Sequence, residues 1–390
     1  MFRSADRGSS SALAPRLAPH VAVASVGYVV FALAGVPDAV TTRLGVDLGS
    51  FGLVVSGALG AFVVAQPVAS RLTRRYPTTR LLRWGIVGHV VLATVLDFAT
   101  TFELLLTLRV AWGLVGGFVL SVGATQIARL YAGRAATRQQ GVYGGVLTLG
   151  GALGFLIGPT LVDLPLSGAT GLVHTGGAVL ALPALALSLA GDDDTAPARA
   201  GASANRTATA AVVGHPVVLL AGLSYVAIIG SYVTLSTFVT GYYAELGLVG
   251  PLNAFVLLTA TAGRTLGGFV VGSTSDALVI GGGTAVAVGS FGALAAGPPS
   301  ALVVVLPLVA MLAVSLPFGA VFAVAGRATD AEGTALAFVV GVGNVAALVL
   351  PAVTGALYDR TGGYATGFGL LAVVNAVALI GAVALERQNA

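Results

Sequence analysis

The residues best equipped for chemistry in this sequence are charged and polar side chains stranded in apolar runs. Arg109 and Arg264 are the plainest cases. A guanidinium in hydrocarbon costs a few kcal/mol even on lenient insertion scales, so each needs a partner, water or a ligand. Arg264 lies about thirteen residues into an apolar run, roughly 20 Å at 1.5 Å per residue, which puts it near or just below the middle of a bilayer. Its fixed charge and planar fork suit a carboxylate or other oxyanion. The competing role is a bond to helix carbonyls or to an acid on a neighbouring span. Arg109 follows Glu103 by six residues and sits nearer the outer face, where a structural hydrogen-bonding role is favoured. Asp38, after Pro37, is a candidate carrier of a coupling proton or an exposed acid at the mouth, with His89 and His174 as weaker proton candidates. Gln66 can orient a solute or pin helices together. Tyr232 shares a helix face with Tyr225, seven residues earlier, and is a candidate cavity residue. Asn344 and Asn375 read as interhelical bonds, with a cavity role open for Asn344.

The elements that must hold these residues follow from composition. Of 390 residues 56% are hydrophobic and 9% charged, against roughly 25% charged in a soluble domain. A water-soluble globule is excluded. The chain has no cysteine, which removes disulfides, thiolate metal sites, iron–sulfur clusters and a cysteine nucleophile. All 19 basic residues are arginine, so a Walker lysine is impossible and direct ATP coupling through a P-loop is excluded. The net charge of +4 does not indicate nucleic acid, because the arginines fall between apolar runs, as membrane topology requires.

Apolar stretches bounded by charge or Pro/Gly clusters predict twelve spans, at 20–40, 50–70, 81–100, 103–125, 141–162, 172–190, 216–240, 251–272, 278–297, 300–325, 334–356 and 364–385. Each has about the 20 residues that a crossing needs. Arg71, Arg74, Arg75, Arg80 and Arg83, then Arg129, Arg134 and Arg138, then Arg199, Arg206 and Arg327, all fall on the side shared with the N-terminus. The opposite loops are mostly acidic. The positive-inside rule then places both termini in the cytoplasm. The polar segment Gly191 to Val213 reads as a cytoplasmic linker between a half at 1–190 and a half at 214–390. Gly141, Gly151 and Pro159 recur at a constant offset as Gly333, Gly343 and Pro351, a faint sign of a parallel repeat. Gly150, Gly154 and Gly158 form a four-residue stripe that lets two helices approach closely.

Four segments, in order and on matching spans, resemble the major facilitator superfamily of secondary transporters across nearly the whole chain. Gln66-Pro67-Val68-Ala69-Ser70-Arg71-Leu72-Thr73-Arg74-Arg75-Tyr76 is similar to the family's Gly-x-Leu-Ala-Asp-Arg-x-Gly loop, with Ser70, Arg74 and Pro77 as departures. Arg74 stands where the family's aspartate forms a charge lock. Arg109-Val110-Ala111-Trp112-Gly113 resembles Arg-x-x-Gln-Gly, with Trp112 in the glutamine's place. Gly145, Gly154, Gly158 and Pro159 match the antiporter motif as far as its Gly-Pro, but Val162-Asp163 replaces the trailing glycines. Gly263-Arg264-x-x-Gly267-Gly268 carries an arginine that porters of organic and inorganic anions often show.

The resemblance implies an all-α membrane protein of twelve transmembrane helices in two pseudo-symmetric six-helix bundles. It implies a secondary transporter that moves a small solute by alternating access, leaning to an organic or inorganic anion and coupled to protons. Substrate or coupling roles then fall to Arg264, Arg109, Gln66, Asp38, Tyr232 and Asn344. Conformational roles fall to Arg71, Arg74, Arg75, Gly145, Gly154, Gly158, Pro159, Gly267 and Gly268. A drug-like efflux antiporter is the alternative, and a non-transporting sensor with the same fold, favoured by Arg74, is the reading of another class. The expected partners are the solute, protons and the lipid bilayer of the cell membrane, for a monomer with no cofactor, metal or nucleic acid. No HExxH, GxSxG or carboxylate cluster with metal-ligand spacing is present, so an enzyme is not expected.

Overall fold

A computed structural model describes residues 5–164, 168–190, 211–248, 250–271 and 274–389. Nearly all of them are helical. In chain order the helices are α1 (Ala5–Phe31), α2 (Pro37–Leu44), α3 (Leu48–Thr73), α4 (Thr78–Leu96), α5 (Phe102–Leu130), α6 (Gly133–Leu161), α7 (Val173–Ala190), α8 (Pro216–Glu245), α9 (Leu252–Val270), α10 (Asp276–Ala295), α11 (Leu302–Ser315), α12 (Phe318–Arg327), α13 (Glu332–Thr361) and α14 (Ala365–Asn389). A 3-10 turn, Ala32–Gly35, joins α1 to α2.

Eleven stretches among the described residues are long and apolar enough to cross a membrane, with α11 and α12 counting as one at Leu302–Arg327. The helix at the eighth predicted span, α9, is the one not among them; it has 19 residues and carries Asn253 and Arg264, which lower its hydropathy. Helices dominate for a physical reason: lipid offers no hydrogen bonds, so a spanning backbone must satisfy itself. Most of the expected linker, residues 191–210, lies outside the described residues.

Contacts divide the chain into two compact units, residues 1–44 with 57–201, and residues 45–56 with 202–390. Each unit uses one packing scheme. In the first, α1 packs against α6 and α7, and α4 packs against α5 and α7. In the second, α8 packs against α13 and α14, and α10 packs against α11 and α14. These are the same pairs, counted six spans later. Residues 45–56 join the second unit through Asp359, whose carboxylate accepts from the amides of Gly49 at 2.9 Å and Leu48 at 3.3 Å. A carboxylate there satisfies amides that the first turn of α3 leaves without helical partners.

Within the first unit the glycine stripe of α6 faces α1. A Cβ on Gly150 would lie 1.8 Å from the Ala24 carbonyl oxygen, one on Gly154 would lie 2.9 Å from Ala32, and one on Gly158 would lie 3.2 Å from the Ala32 carbonyl. Gly27 of α1 reciprocates, with the Leu147 carbonyl 1.8 Å from any Cβ there. The backbones meet directly, and packing of this kind replaces the hydrophobic drive that lipid cannot supply. Gly150→Ala should therefore destabilise the protein by about 1–3 kcal/mol through overpacking. Gly289→Ala, where a Cβ meets nothing within 4 Å, should leave stability unchanged or raised. Thermal unfolding of the two variants in detergent, compared with the unaltered chain, measures the difference.

Candidate functional site

The two buried arginines sit in opposite chemical settings. Pro37 disfavours helical geometry at Val36, which adopts φ −137° and ψ 45°, and α1 gives way to the 3-10 turn just before it. Carbonyls in the last turn of α1 lose their helical donors. Arg109 of α5 supplies replacements, donating to Val29 O at 2.7 Å and Val30 O at 3.0 Å. It is fully buried and lies 5.5 Å from the Trp112 ring.

Arg264 of α9 is 3% exposed. Its guanidinium carbon lies 4.3 Å from the centroid of the Tyr232 ring, from α8, and 4.5 Å from that of Phe318, at the start of α12. Such π contacts contribute up to about 2 kcal/mol when desolvated, less than a charge-assisted hydrogen bond network. Its Nε has no hydrogen-bond partner and no carboxylate pairs with it among the described residues. The helix is held in place by glycine: a Cβ on Gly263 would lie 2.8 Å from Ser315 Cβ, and one on Gly267 would lie 2.2 Å from the Leu316 carbonyl oxygen. Gly268 is buried alongside. Two further aromatic contacts brace Phe318, from Tyr225 at 5.7 Å and Phe322 at 4.9 Å.

The chain matches the Major Facilitator Superfamily over residues 19–333. The chain belongs to the major facilitator superfamily. Crystal structures of a bacterial homolog to the human lysosomal transporter Spinster share the fold. The inward-facing, unoccupied form is 17% identical, with 98% of this chain and 96% of that chain covered and a TM-score of 0.72. The inward-facing, occupied form is 15% identical, with 95% and 96% covered and a TM-score of 0.73. No curated protein sequence matches the chain.

The other residues expected in a superfamily site lie on several helices. Tyr232 is brought onto Arg264. Asn344, on α13, is buried at 9% exposure, and Gln66, on α3, is half-buried. Asp38 is exposed in the first turn of α2. Arg71, Arg74 and Arg75 are exposed at the end of α3 and in the turn after it, and Arg74 reaches Ser70 Oγ at 3.5 Å. Gly145 is buried, its carbonyl accepting from Thr148 at 2.8 Å, while Pro159 is exposed. Asn375 bridges helices, donating to Ser231 Oγ at 2.7 Å.

A buried polar network in the first unit escaped the sequence reading. Trp112 Nε1 donates to His89 Nδ1 at 3.1 Å, and His89 Nε2 lies 2.6 Å from Ser25 Oγ, which donates to Gly177 O at 2.8 Å. Indole N–H only donates, so Nδ1 must accept and the His89 proton belongs on Nε2. The chain of bonds runs one way and needs a neutral imidazole. Asp97, just past α4, accepts from Thr170 Oγ1 at 2.8 Å, His174 Nδ1 at 2.7 Å, His174 N at 3.1 Å and Thr175 N at 2.6 Å. It caps the start of α7 from a distant part of the chain. The only trace in the sequence is the cluster Thr170, His174 and Thr175, donors at a helix start with no acid of their own nearby.

Two tests follow from this contrast. Arg109→Met should lower stability by about 3 kcal/mol or more, because charged donors are lost and carbonyls are left bare, whereas Arg264→Met should raise it, since an unpaired buried charge is removed. Unfolding curves in detergent decide both. Burial works against the Asp97 charge, but the His174 ring and the Thr175 amide outweigh it and hold the carboxyl below its ordinary range. The stability this contributes is complete above the ordinary value near 4 and is lost as pH falls through the lower folded value. Melting temperatures between pH 6 and pH 3 should fall more steeply for the unaltered chain than for Asp97→Asn.

Proposed function

We propose that this major facilitator chain is a secondary active transporter that carries a small organic or inorganic anion by alternating access, in exchange or symport with protons. Arg264 is the group that meets the anion. The observation that carries the reading is its setting: a permanent charge buried at 3% exposure, with aromatic rings against it and no carboxylate paired to it among the described residues. A cation so placed lacks its counter-charge until a ligand brings one. A planar carboxylate or similar oxyanion offers the two acceptors that a guanidinium fork takes best. Tyr232 shapes the same site, and Gln66 and Asn344 are further candidate solute contacts. Asp38 is the proton-carrying candidate. Arg109, tied to Val29 and Val30, acts by holding the break after α1.

The halves at 1–190 and 214–390 are the bodies that alternate, with Gly154, Gly158 and Gly267 at close helix contacts, Gly145, Pro159 and Gly268 on the same helices, and Arg71, Arg74 and Arg75 at a cytoplasmic loop. The distribution of arginines supports cytoplasmic termini in the cell membrane. The protein works as a monomer without cofactor, and it translocates its solute unaltered.

Proteoliposomes loaded with a pH-sensitive dye test this reading. Addition of nitrate, lactate or oxalate under an imposed proton gradient should produce anion-dependent proton movement for at least one solute. Arg264→Gln should reduce that flux at least tenfold, the equivalent of about 1.4 kcal/mol, without loss of folded protein. Equal flux in Arg264→Gln would overturn the assignment of this residue, and flux driven only by amphipathic cations would overturn the anion preference.

A further inference from the structure

On α4, in the first unit, a charge, an exposed indole and a notched groove share one face. Arg80, Trp84 and Gly88 are spaced by four residues, so they stack along a single side of the helix. Arg80 is exposed. Trp84 is 67% exposed, whereas the chain's other tryptophan, Trp112, is fully buried. Beyond Trp84, an open groove of about 300 Å³ runs between α4 and α5, lined by Trp84, Gly85, Gly88, Leu114, Val115 and Phe118. The glycines keep it open: a Cβ on Gly88 would lie 3.2 Å from Val115, and one on Gly85 would lie 2.9 Å from Val119.

Depth and charge identify what fits. At 1.5 Å per residue, Arg80 and Gly88 lie about 12 Å apart along the helix, with Trp84 midway, about 6 Å from each. The interfacial zone of a bilayer is roughly 5–8 Å thick on each side, and tryptophan prefers its inner boundary. With Trp84 there, Arg80 reaches the phosphate level and the groove opens into hydrocarbon. Residues 71–83 hold five arginines, Arg71, Arg74, Arg75, Arg80 and Arg83, and no acid. Arg83 is engaged, donating to Ser188 O at 2.7 Å, while Arg71, Arg74 and Arg75 are exposed with Arg80. A soluble anion would use the charges and leave the groove empty. A neutral lipid would use the groove and leave the charges unanswered.

We propose that this face binds an anionic glycerophospholipid, one acyl chain lying in the groove beside Gly88 and the phosphate engaging Arg80. The site is separate from Arg264 and does not depend on what the protein transports.

The test uses the full-length chain in bilayers in which phosphatidylglycerol or phosphatidylcholine, each brominated on its acyl chains, is introduced at equal mole fraction. Bromine quenches tryptophan on contact, and the Trp84 signal is the difference between the unaltered chain and Trp84→Phe. Brominated phosphatidylglycerol should quench Trp84 at about fivefold lower mole fraction than brominated phosphatidylcholine, the preference that one arginine near a surface supplies. Arg80→Gln should bring the two lipids to parity, and raised salt should narrow the gap. Gly88→Leu, which fills the groove, should weaken quenching by both lipids. Equal quenching of the unaltered chain by the two lipids, or a preference that survives Arg80→Gln, would overturn the proposal and leave only ordinary boundary lipid at this face.

Discussion

Everything in this structure answers to one constraint: in hydrocarbon a polar group finds its hydrogen bonds inside the protein or goes without them. The first unit meets that demand at three buried places on which its fold turns. The break after α1, forced by Pro37, frees carbonyls, and Arg109 fills them. The ring nitrogens of His89 are both used, one by Trp112 and one by Ser25. Asp97 answers four donors at the start of α7. In each case a side chain from one helix repairs a backbone or ring left short on another, so the polar groups specify which helices are neighbours.

Glycine makes this repair geometrically possible. Side-chain bonds across helices are short, and they need backbones that approach more closely than leucine or valine would permit. Gly150 and Gly154 bring α6 onto α1, which is the helix that carries Ser25, Val29 and Val30. Gly113 and Gly117 bring α5 onto Ala58 and Phe62 of α3, and α5 is the helix that carries Arg109 and Trp112. In the second unit Gly263 and Gly267 set α9 against α11, and Arg264 stands between these two glycines. The small residues fix the distance, and the polar residues fix the partner.

This division explains what could be read in advance. The helices were legible because hydrocarbon thickness sets their length and charge marks their ends, so apolar runs translate directly into elements. The Arg109 and Arg264 positions were legible as anomalies for the same reason. Their different settings were not, because the carbonyls that Arg109 meets come from residues 79 and 80 positions away, and no local pattern records such a distance. Asp97 was hidden more deeply. At the end of an apolar run it has the same local signature as an exposed loop acid such as Asp163, yet one is fully buried and the other is 79% exposed. Only the packing of α4 on α7 distinguishes them. The α9 helix falls short of the others in hydropathy because of Arg264 itself, so the residue that makes the span interesting is also the one that obscures it.

The second unit contains an exception to the constraint, and the exception is informative. Arg264 is as buried as the polar groups of the first unit, yet it is met by rings and not by acceptors. An apolar side chain of similar length would pack against Tyr232 and Phe318 without the cost of desolvating a charge. Stability alone therefore does not account for an arginine at this position. Local choices that work against stability concentrate where function requires them, and this is why the proposed anion site is centred on Arg264. An acid on a neighbouring helix would have stabilised the fold and occupied the fork permanently. Its absence among the described residues leaves the fork without a carboxylate, and that is the observation on which the proposed anion site rests.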